Sequence, residues 1–272
     1  MLMKQQLPSG KRHQKTNHRM KVTFLGTGTS QGVPVIACGC EVCTSSNPKD
    51  KRLRSSIFIS SGAGNIVVDT TPDFRYQMLR AQVKHLEAVL ITHSHKDHIA
   101  GMDDIRAFNY FQQGAIDIYA TEFSQNVIMR EFAYAFADFK YPGIPEITLK
   151  SIDDEPFAVN GLTITPIQVM HYKMPVMGFR IHDFTYITDA NFIAPEEKEK
   201  IRGSKVLVLN ALRKEKHISH FTLEEAIALG KELEVPQVYF THISHQLGLH
   251  DEVMKELPDG MALAYDGLTL EI

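Results

Sequence analysis

The sequence predicts an α/β fold in which helices and strands form layers around β-sheet. Short apolar runs that suit buried strands alternate with helix-like segments along most of the chain. With 272 residues, 43% of them hydrophobic, the chain is long enough for one large domain with a full core. Because no internal linker, short repeat or low-complexity segment interrupts it, we expect a single domain over residues 21–272.

Each expected strand is an apolar run bounded by turn-forming or polar residues. The runs are Val22–Leu25, Ser56–Ile59, Ile66–Asp69, Val89–Thr92, Ile116–Tyr119, Leu162–Val169, Thr185–Thr188, Val206–Leu209, Val238–Thr241 and Leu268–Ile272. Segments with helical periodicity lie near Pro72–Ala81, Ile99–Phe108, Glu122–Ala137, Pro195–Ile201, Thr222–Leu233 and Glu252–Leu257. Thr222 followed three residues later by Glu225 predicts a capping box.

The charges separate a basic N-terminal extension from an acidic body. Residues 1–20 hold five of the 29 basic residues and no acidic one, which leaves 24 basic against 32 acidic residues in the remainder. The extension lacks the continuous apolar core of a secretory signal, so we expect a disordered segment, with Met20 as an alternative start. An acidic body argues against broad nucleic-acid binding, and no stable nucleic-acid partner is expected.

Membrane association and secretion are also disfavoured. No apolar stretch is long enough to span a bilayer, so no membrane partner is expected. The three cysteines all lie within residues 38–43 and cannot form the disulfide framework of a secreted domain. We therefore expect a cytoplasmic protein whose cysteine cluster binds metal, with three free thiols in a loop as the alternative.

A run of metal-binding side chains directly follows one expected strand. His93, His95, Asp97 and His98 lie within six positions after the apolar run Ala88–Ile91. Imidazole and carboxylate groups suit zinc, manganese or iron. Four such groups are more than one catalytic ion usually takes from one loop, which indicates two metals. The alternative interpretation is a solvated polar turn.

Four further candidate ligands lie at or just past the ends of other expected strands. They are His171, Asp189, His242 and His245. A lone histidine at a strand end is more often structural or exposed. Their shared placement favours one common site, at the sheet edge that also carries the His93 loop.

These residues resemble the metallo-β-lactamase fold superfamily. The matching pattern is H-x-H-x-D-H at His93–His98 with the later His171, Asp189 and His242. The resemblance spans residues 21–272 and implies a four-layer αββα sandwich. It further implies one metal held by His93, His95 and His171, a second held by Asp97, His98 and His242, and Asp189 as the bridge between them.

The cysteine cluster resembles that of one branch of this superfamily. Cys38, Cys40 and Cys43 supply three soft thiolates, one short of a tetrahedral zinc site, and His245 is the candidate fourth ligand. With the opening segment 25–34 and the later segment 241–245, this cluster resembles the PhnP-like branch, the phosphoribosyl cyclic phosphate phosphodiesterases. The resemblance implies that this zinc is structural and pins the N-terminal loop near the active site.

The function implied by the resemblance is hydrolysis of a small, cyclic phosphodiester such as phosphoribosyl 1,2-cyclic phosphate. Two divalent ions, zinc or manganese, would hold a bridging hydroxide. His220 occupies the family position for the general acid, although a polar residue at a helix N-terminus is an equal interpretation. Asp97 is the other residue expected to take part in catalysis.

The sequence identifies the residues that contact the substrate less clearly than the metal ligands. Arg52 and Arg54 are candidates for a second phosphate, with ordinary solvated side chains as the alternative. Thr29 and Ser30 lie in a Gly/Thr/Ser-rich loop that either approaches a phosphate through backbone amides or only turns the chain. The aromatic stretch 132–141 is expected to pack within the domain, with a lid or dimer contact as the alternative. A homodimer is expected from the resemblance alone.

Other activities of the same fold fit less well. Processing of tRNA 3′ ends is disfavoured by the acidic body and by the absence of a long basic arm. The cysteine cluster and the position of His220 argue against thioester or lactam hydrolysis. Relatives in PQQ biosynthesis share a cysteine zinc loop, but the seven intact ligands here favour hydrolysis. A non-catalytic metal-binding protein would be indicated by lost ligands, and none is lost.

Overall fold

Two β-sheets pack face to face in the computed structural model, which describes residues 20–139 and 141–272. The strands of the first sheet are β1 (Lys21–Gly26), β2 (Ser56–Ser61), β3 (Gly64–Val68), β4 (Ala88–Leu90), β5 (Ile116–Ala120), β6 (Ile147–Ser151) and β15 (Thr269–Glu271). Those of the second are β7 (Phe157–Val159), β8 (Leu162–His171), β9 (Met174–Ile181), β10 (Phe184–Tyr186), β11 (Phe192–Ile193), β12 (Val206–Asn210), β13 (Gln237–Thr241) and β14 (Met261–Leu263).

Each sheet combines an antiparallel and a parallel part. The first has the order β15-β1-β2-β3-β4-β5-β6, antiparallel up to β3 and parallel from β3 to β6. The second has the order β11-β8-β9-β10-β12-β13-β14, with β7 also paired to β8, and it is parallel from β10 onward. The carboxyl ends of parallel strands lie at one edge, where side chains from distant segments meet.

The helices are α1 (Glu41–Thr44), α2 (Phe74–Arg80), α3 (Lys96–Ile99), α4 (Arg106–Gln112), α5 (Glu122–Glu131), α6 (Pro195–Ile201), α7 (Leu223–Glu232) and α8 (His250–Glu256). The longer helices cover the two outer faces, whereas the short α1 and α3 lie in loops that carry candidate metal ligands. Short 3₁₀ helices span Pro48–Asp50, Met102–Ile105 and Ala133–Ala135. No helix within the described ranges is long and apolar enough to cross a membrane.

Alternation along the strands produces three apolar layers. Ile66 and Val68 of β3 face the core between the two sheets, whereas Val67 faces the core beneath α2 and α5. A third core lies between the second sheet and the helices α6, α7 and α8. The expected four-layer αββα sandwich is confirmed, with helix, sheet, sheet and helix in turn.

All ten expected strands overlap observed strands, and the capping box at Thr222 and Glu225 is confirmed. Two expected helices are wrong in extent. The segment 99–108 is broken at Gly101, where an added Cβ would lie 2.0 Å from the carbonyl oxygen of Thr71. The helix from Glu122 ends at Glu131 and is followed by a 3₁₀ turn.

The strands β6, β7, β9, β11 and β14 are not anticipated by the sequence pattern. In β9, Pro175 and Gly178 interrupt an apolar strand signal. The glycine is required there, because a Cβ would lie 2.8 Å from a side-chain carbon of Ile187. Packing against a neighbouring strand therefore overrides the local propensity.

The two ends of the described fold meet in the first sheet. Met20 is buried, and its backbone exchanges hydrogen bonds with Ile272. The disorder expected for the basic extension concerns residues 1–19, which lie outside the described residues. In the aromatic stretch, Phe132 is buried while Phe139 and Tyr141 are exposed, so packing within the domain accounts for only part of it.

Candidate metal centres

The histidine and aspartate candidates converge at one edge of the two sheets. His93 and His95 follow β4, His171 ends β8, Asp189 follows β10, and His242 follows β13. These strands belong to both sheets, so the fold itself brings the five residues together. Asp97 and His98 lie on the short helix α3 that continues the His93 loop.

His93, His95 and His171 form a first set. His93 Nε2 lies 3.0 Å from His95 Nδ1, and the His171 ring centroid lies 5.2 Å from that of His95. Two nitrogens bound to one tetrahedral zinc would be about 3.3 Å apart, so the spacing suits a shared ion. The other nitrogen of His171, Nδ1, donates a hydrogen bond of 2.9 Å to the Ser219 carbonyl, which leaves Nε2 free as a ligand.

Asp97, His98, Asp189 and His242 form a second set, with one ligand atom of each within 4.8 Å of the others. His98 Nε2 lies 3.1 Å from Asp97 Oδ2 and 3.3 Å from Asp189 Oδ2. His242 Nδ1 lies 3.1 Å from Asp189 Oδ2. Asp189 therefore faces both histidines of this set, and its carboxylate also lies within 4.8 Å of a ring nitrogen of His171 from the first set.

The surroundings of the buried nitrogen His98 Nε2 indicate whether this second set suits a cation. It makes no hydrogen bond within the described residues although two carboxylate oxygens lie close to it. Burial lowers the pKa of His98, but the carboxylates of Asp97, Asp189 and Asp69 outweigh this effect and raise the pKa well above its ordinary value. The set thus requires positive charge, and a divalent cation between these atoms would supply it.

Asp69 is a residue of the candidate site that the sequence pattern does not reveal. Its Oδ2 accepts hydrogen bonds of 2.7 Å from His98 Nδ1 and 2.8 Å from Thr92 Oγ1, and its Oδ1 accepts one of 2.8 Å from the Thr92 backbone N–H. Since Thr92 Oγ1 donates to Asp69, it accepts from His93 Nδ1 at 3.0 Å. One fully buried carboxylate thus orients a histidine of each set. Its only signal in the sequence is a carboxylate at the end of an expected strand.

The backbone at these strand ends is strained. Asp69, Asp189 and His242 have φ values of 67°, 55° and 55°, in the left-handed region that such residues seldom adopt. Strain of this kind persists where the surrounding structure dictates it and clusters at functional sites. Here it turns three side chains toward a common point.

His220 lies between the two sets. Its ring centroid is 4.6 Å from that of His171 and 4.9 Å from that of His242. Its buried Nδ1 has no hydrogen-bond partner within the described residues and lies 4.0 Å from Asp189 Oδ1. Burial lowers the pKa of His220 to about 3, and His242 acts in the same direction. The position suits a proton donor to bound substrate and equally a further ligand beside His171 and Asp189.

Cys38, Cys40, Cys43 and His245 form a separate cluster. The three sulfur atoms lie 3.4, 3.3 and 3.6 Å from His245 Nδ1. Zinc with bonds of about 2.3 Å to sulfur and about 2.0–2.1 Å to nitrogen would place these atoms about 3.5 Å apart. Hydrogen bonding from the Cys43 N–H and from His245 lowers the pKa of Cys40 to about 6, which favours its thiolate. The donors and their spacing suit a closed tetrahedral zinc site.

The cysteine cluster and the second ligand set are joined by short backbone contacts. The Ile243 N–H donates to the Thr27 carbonyl at 2.9 Å, and the Thr29 N–H donates to the Ile243 carbonyl at 3.1 Å. Thr29 Oγ1 lies 3.3 Å from His242 Nε2. Thr29 therefore sits beside a candidate metal ligand, in a position to orient it.

The two arginines predicted to bind substrate are held elsewhere. Arg52 is only 4% exposed, and its guanidinium donates to Thr27 Oγ1 at 2.8 Å and to the Ala264 carbonyl at 2.6 Å. Arg54 forms an ion pair of 3.2 Å with Asp73 and donates to the Ser30 carbonyl at 3.1 Å. Because both side chains already have partners, we assign them a structural role in fixing the 26–32 loop. Ser30 is exposed.

A family model described as a β-lactamase superfamily domain matches residues 64–243, which include all seven histidine and aspartate candidates. The chain belongs to this superfamily. Among solved structures, the crystal structure of a diphosphatase from the PhnP family aligns with a TM-score of 0.87 and 38% identity, covering 93% of this chain and 98% of that one. The resemblance to the PhnP family within the β-lactamase superfamily is thereby supported.

Two other relatives bear on the site. Zinc-bound PqqB from Methylobacterium extorquens aligns with a TM-score of 0.74 at 21% identity over 93% of this chain and all of that one, which shows the shared fold. An octanoyltransferase of Porphyromonas gingivalis is 39% identical over 252 residues, 92% of this chain but 51% of that protein. This β-lactamase superfamily chain thus spans about half the length of that relative.

Cys40→Ala should remove one zinc per chain and lower the melting temperature, because three donors no longer close a tetrahedral site. The histidine and aspartate sets should keep their metal. Metal content by mass spectrometry and thermal unfolding measure both effects, with the exposed neighbour Glu41→Ala as control. Loss of all metal would show that the sites are not separable, and unchanged zinc would show that the cysteines do not bind it.

Asp69→Asn should weaken metal binding about 10- to 100-fold, because the amide cannot accept all three hydrogen bonds and offers its NH₂ to His98 Nδ1. Zinc competition with a chelator measures the change, and circular dichroism checks the fold. The control Asp117→Asn removes an equal charge at a surface ion pair with Lys150. Equal zinc affinity in the Asp69 and Asp117 variants would refute the orienting role.

Proposed function

We propose that the protein is a metal-dependent phosphodiesterase that acts on a small, cyclic phosphodiester such as phosphoribosyl 1,2-cyclic phosphate. The observation that carries this proposal is the convergence of two donor sets around Asp189, next to an unpartnered buried histidine, His220. The similarity to a PhnP-family diphosphatase supports phosphoryl chemistry. The choice of a cyclic sugar phosphate rests on the resemblance of the sequence to the PhnP-like branch.

The donor sets suit two divalent ions, zinc or manganese, and the cysteine cluster suits one structural zinc. When bound, two metal ions of this kind would neutralise the charge of a phosphoryl group and would lower the pKa of bound water towards neutrality. The chain supplies the remaining elements: Asp189 lies beside His98 and His242 of the second set and beside His171 of the first, and Asp69 fixes the orientation of His93 and His98. Asp97 adds negative charge that favours cation binding.

His220 would protonate the oxygen of the leaving group. An alkoxide from a sugar is a poor leaving group, so a positioned acid accelerates its departure, typically 10²- to 10⁴-fold. Next to an anionic phosphoryl group, the charged form of the imidazole becomes more favourable. The ring is already held between His171 and His242, at the junction of the two sets.

Acyl transfer is the competing function that one relative suggests by name. That relative is an octanoyltransferase, but it is about twice as long as the matched segment. A covalent acyl intermediate requires an activated nucleophile such as a thiolate. All three cysteines of this chain lie within contact of His245. With the proposed zinc bound, none of the three would remain as a free thiol for that chemistry.

The remaining expectations stay predictions. A cytoplasmic location, a homodimer and the absence of nucleic-acid and membrane partners agree with the composition and the resemblance. A non-catalytic metal-binding role is disfavoured by the complete donor set. Processing of tRNA ends is disfavoured by the acidic body.

A substrate panel tests the proposed function. The protein, supplied with zinc or manganese, should hydrolyse a bis-aryl phosphodiester and a cyclic ribose phosphate, and should leave a thioester and a β-lactam intact. The Asp189→Ala variant is the matched negative control, because it removes the carboxylate shared by the two sets. Absence of phosphodiester turnover with every metal would reject the proposal.

His220→Asn should slow cleavage of an alkyl phosphodiester by 10²-fold or more and cleavage of a p-nitrophenyl diester far less, because only the alkoxide needs a proton. Metal content should stay unchanged. Rates across a series of leaving groups, together with metal analysis, measure these effects. Equal losses for both substrates accompanied by loss of metal would show that His220 is a ligand instead of the acid.

A further inference from the structure

The backbone that follows Asp189 is held by a buried side chain of the neighbouring strand. Asn210 is the last residue of β12 and is fully buried. Its Oδ1 accepts a hydrogen bond of 2.8 Å from the Ala190 N–H, and its Nδ2 donates one of 2.9 Å to the Ala190 carbonyl. The side-chain amide therefore uses its acceptor and one of its N–H donors on a single residue.

Asn210 takes over where the backbone pairing between β10 and β12 ends. The Ile187 N–H, just past β10, still donates to the Val208 carbonyl at 2.9 Å. Two residues later the chain turns at Asp189, whose φ is 55°. Ala190 is fully buried, so its N–H and carbonyl require partners inside the protein. Because Asn210 supplies partners for both groups, the strained turn is held in one conformation.

The same side chain links the backbone of Asp189 to the strand that leads to His242. In the sheet, Asn210 pairs with Thr241 of β13, the residue directly before His242. Asp189 Oδ2 and His242 Nδ1 lie 3.1 Å apart. Ligand atoms around a metal ion tolerate errors of only about 0.2 Å in their bond lengths. A fixed backbone beneath both ligands is therefore a condition for a shared ion.

The Ala190 carbonyl also supports the loop that carries His220. It accepts a second hydrogen bond, of 2.8 Å, from the Phe221 N–H. The next residue, Asn191, donates from its side-chain amide to the Ile218 carbonyl at 3.2 Å. These two contacts lie on either side of His220 in the sequence. A shift of the backbone at Ala190 would therefore move the histidine together with the neighbouring carboxylate.

We propose that Asn210 is a positioning residue of the candidate metal centres. By holding the Ala190 backbone, it sets the position of the Asp189 carboxylate relative to the other ligands and that of His220 relative to the leaving group. This inference rests on the proposed phosphodiesterase function and adds a residue to its machinery. A residue that served only the stability of the fold would affect neither metal affinity nor the protonation of the leaving group.

Asn109 offers a matched control. It is also buried, its Oδ1 accepts a hydrogen bond of 2.9 Å from the Glu146 N–H, and its Nδ2 donates one of 2.9 Å to the Glu146 carbonyl. Glu146 directly precedes β6, at the edge of the first sheet opposite to the strand ends that carry the ligands. The two asparagines thus make the same contact, one beside the candidate centres and one away from them.

Asn210→Leu keeps the branched shape of the side chain and removes both hydrogen bonds. It should weaken zinc binding at the histidine and aspartate sets about 10- to 100-fold, the loss typical of a residue that orients ligands, and leave zinc in the cysteine cluster. Chelator competition and zinc content measure both effects. Asn109→Leu should lower the melting temperature and leave both zinc affinities unchanged. Should Asn210→Leu fail to fold, Asn210→Asp and Asn109→Asp, which keep the acceptor and lose the donor, give the same comparison.

Two further readouts separate positioning from stability. In an Asp189→Ala background, the Asn210 variant should lose no further zinc affinity, because its effect passes through the carboxylate that is already missing. With saturating zinc, the Asn210 variant should reduce kcat on an alkyl phosphodiester about tenfold more than kcat on a p-nitrophenyl diester, because only the alkoxide depends on a proton from His220.

Three outcomes would overturn the proposal: unchanged zinc affinity in the Asn210 variant, a loss of affinity no larger than in the Asn109 variant, or a loss that adds fully to that of Asp189→Ala. Equal losses of kcat on the two diesters would refute the link to His220. If the unsubstituted protein cleaved no phosphodiester, the proposed function would fail, whereas the zinc affinities would still decide whether Asn210 positions Asp189.

Discussion

The buried pair of Asp69 and His98 is the interaction on which the candidate site depends. Both side chains are fully buried and 2.7 Å apart, and the carboxylates of Asp97 and Asp189 lie within 3.3 Å of the other ring nitrogen. So much negative charge in a protein interior is costly unless a cation compensates it. The donor set therefore suits a bound metal ion.

The two kinds of metal site are linked through one short stretch of backbone. His242 belongs to the second ligand set and His245 to the cysteine cluster, and Ile243 between them pairs with residues 27–29. Zinc in the cysteine cluster would hold the loop that carries Thr29 against His242. A structural ion distant from the chemistry can thus set the orientation of a ligand within it.

Much of this arrangement was predictable from the sequence. The H-x-H-x-D-H run and the strand-end His171, Asp189 and His242 identified the main candidates, because parallel strands place such residues at a common edge. Asp69 was not predicted, because a carboxylate that orients a metal ligand has no fixed sequence distance from that ligand. Arg52 and Arg54 have partners within the protein, which charge alone does not reveal. Phe123 and Ile218 line one groove beside His171. They are nearly a hundred positions apart in the sequence, and only the tertiary fold brings them together.

Anomalous diffraction at the zinc edge, from crystals of the protein grown with zinc, would locate the metal ions. Three peaks per chain are expected: one enclosed by Cys38, Cys40, Cys43 and His245, and one on each side of Asp189. A single peak among His171, Asp189 and His220, with none between Asp97 and His98, would contradict a two-ion centre.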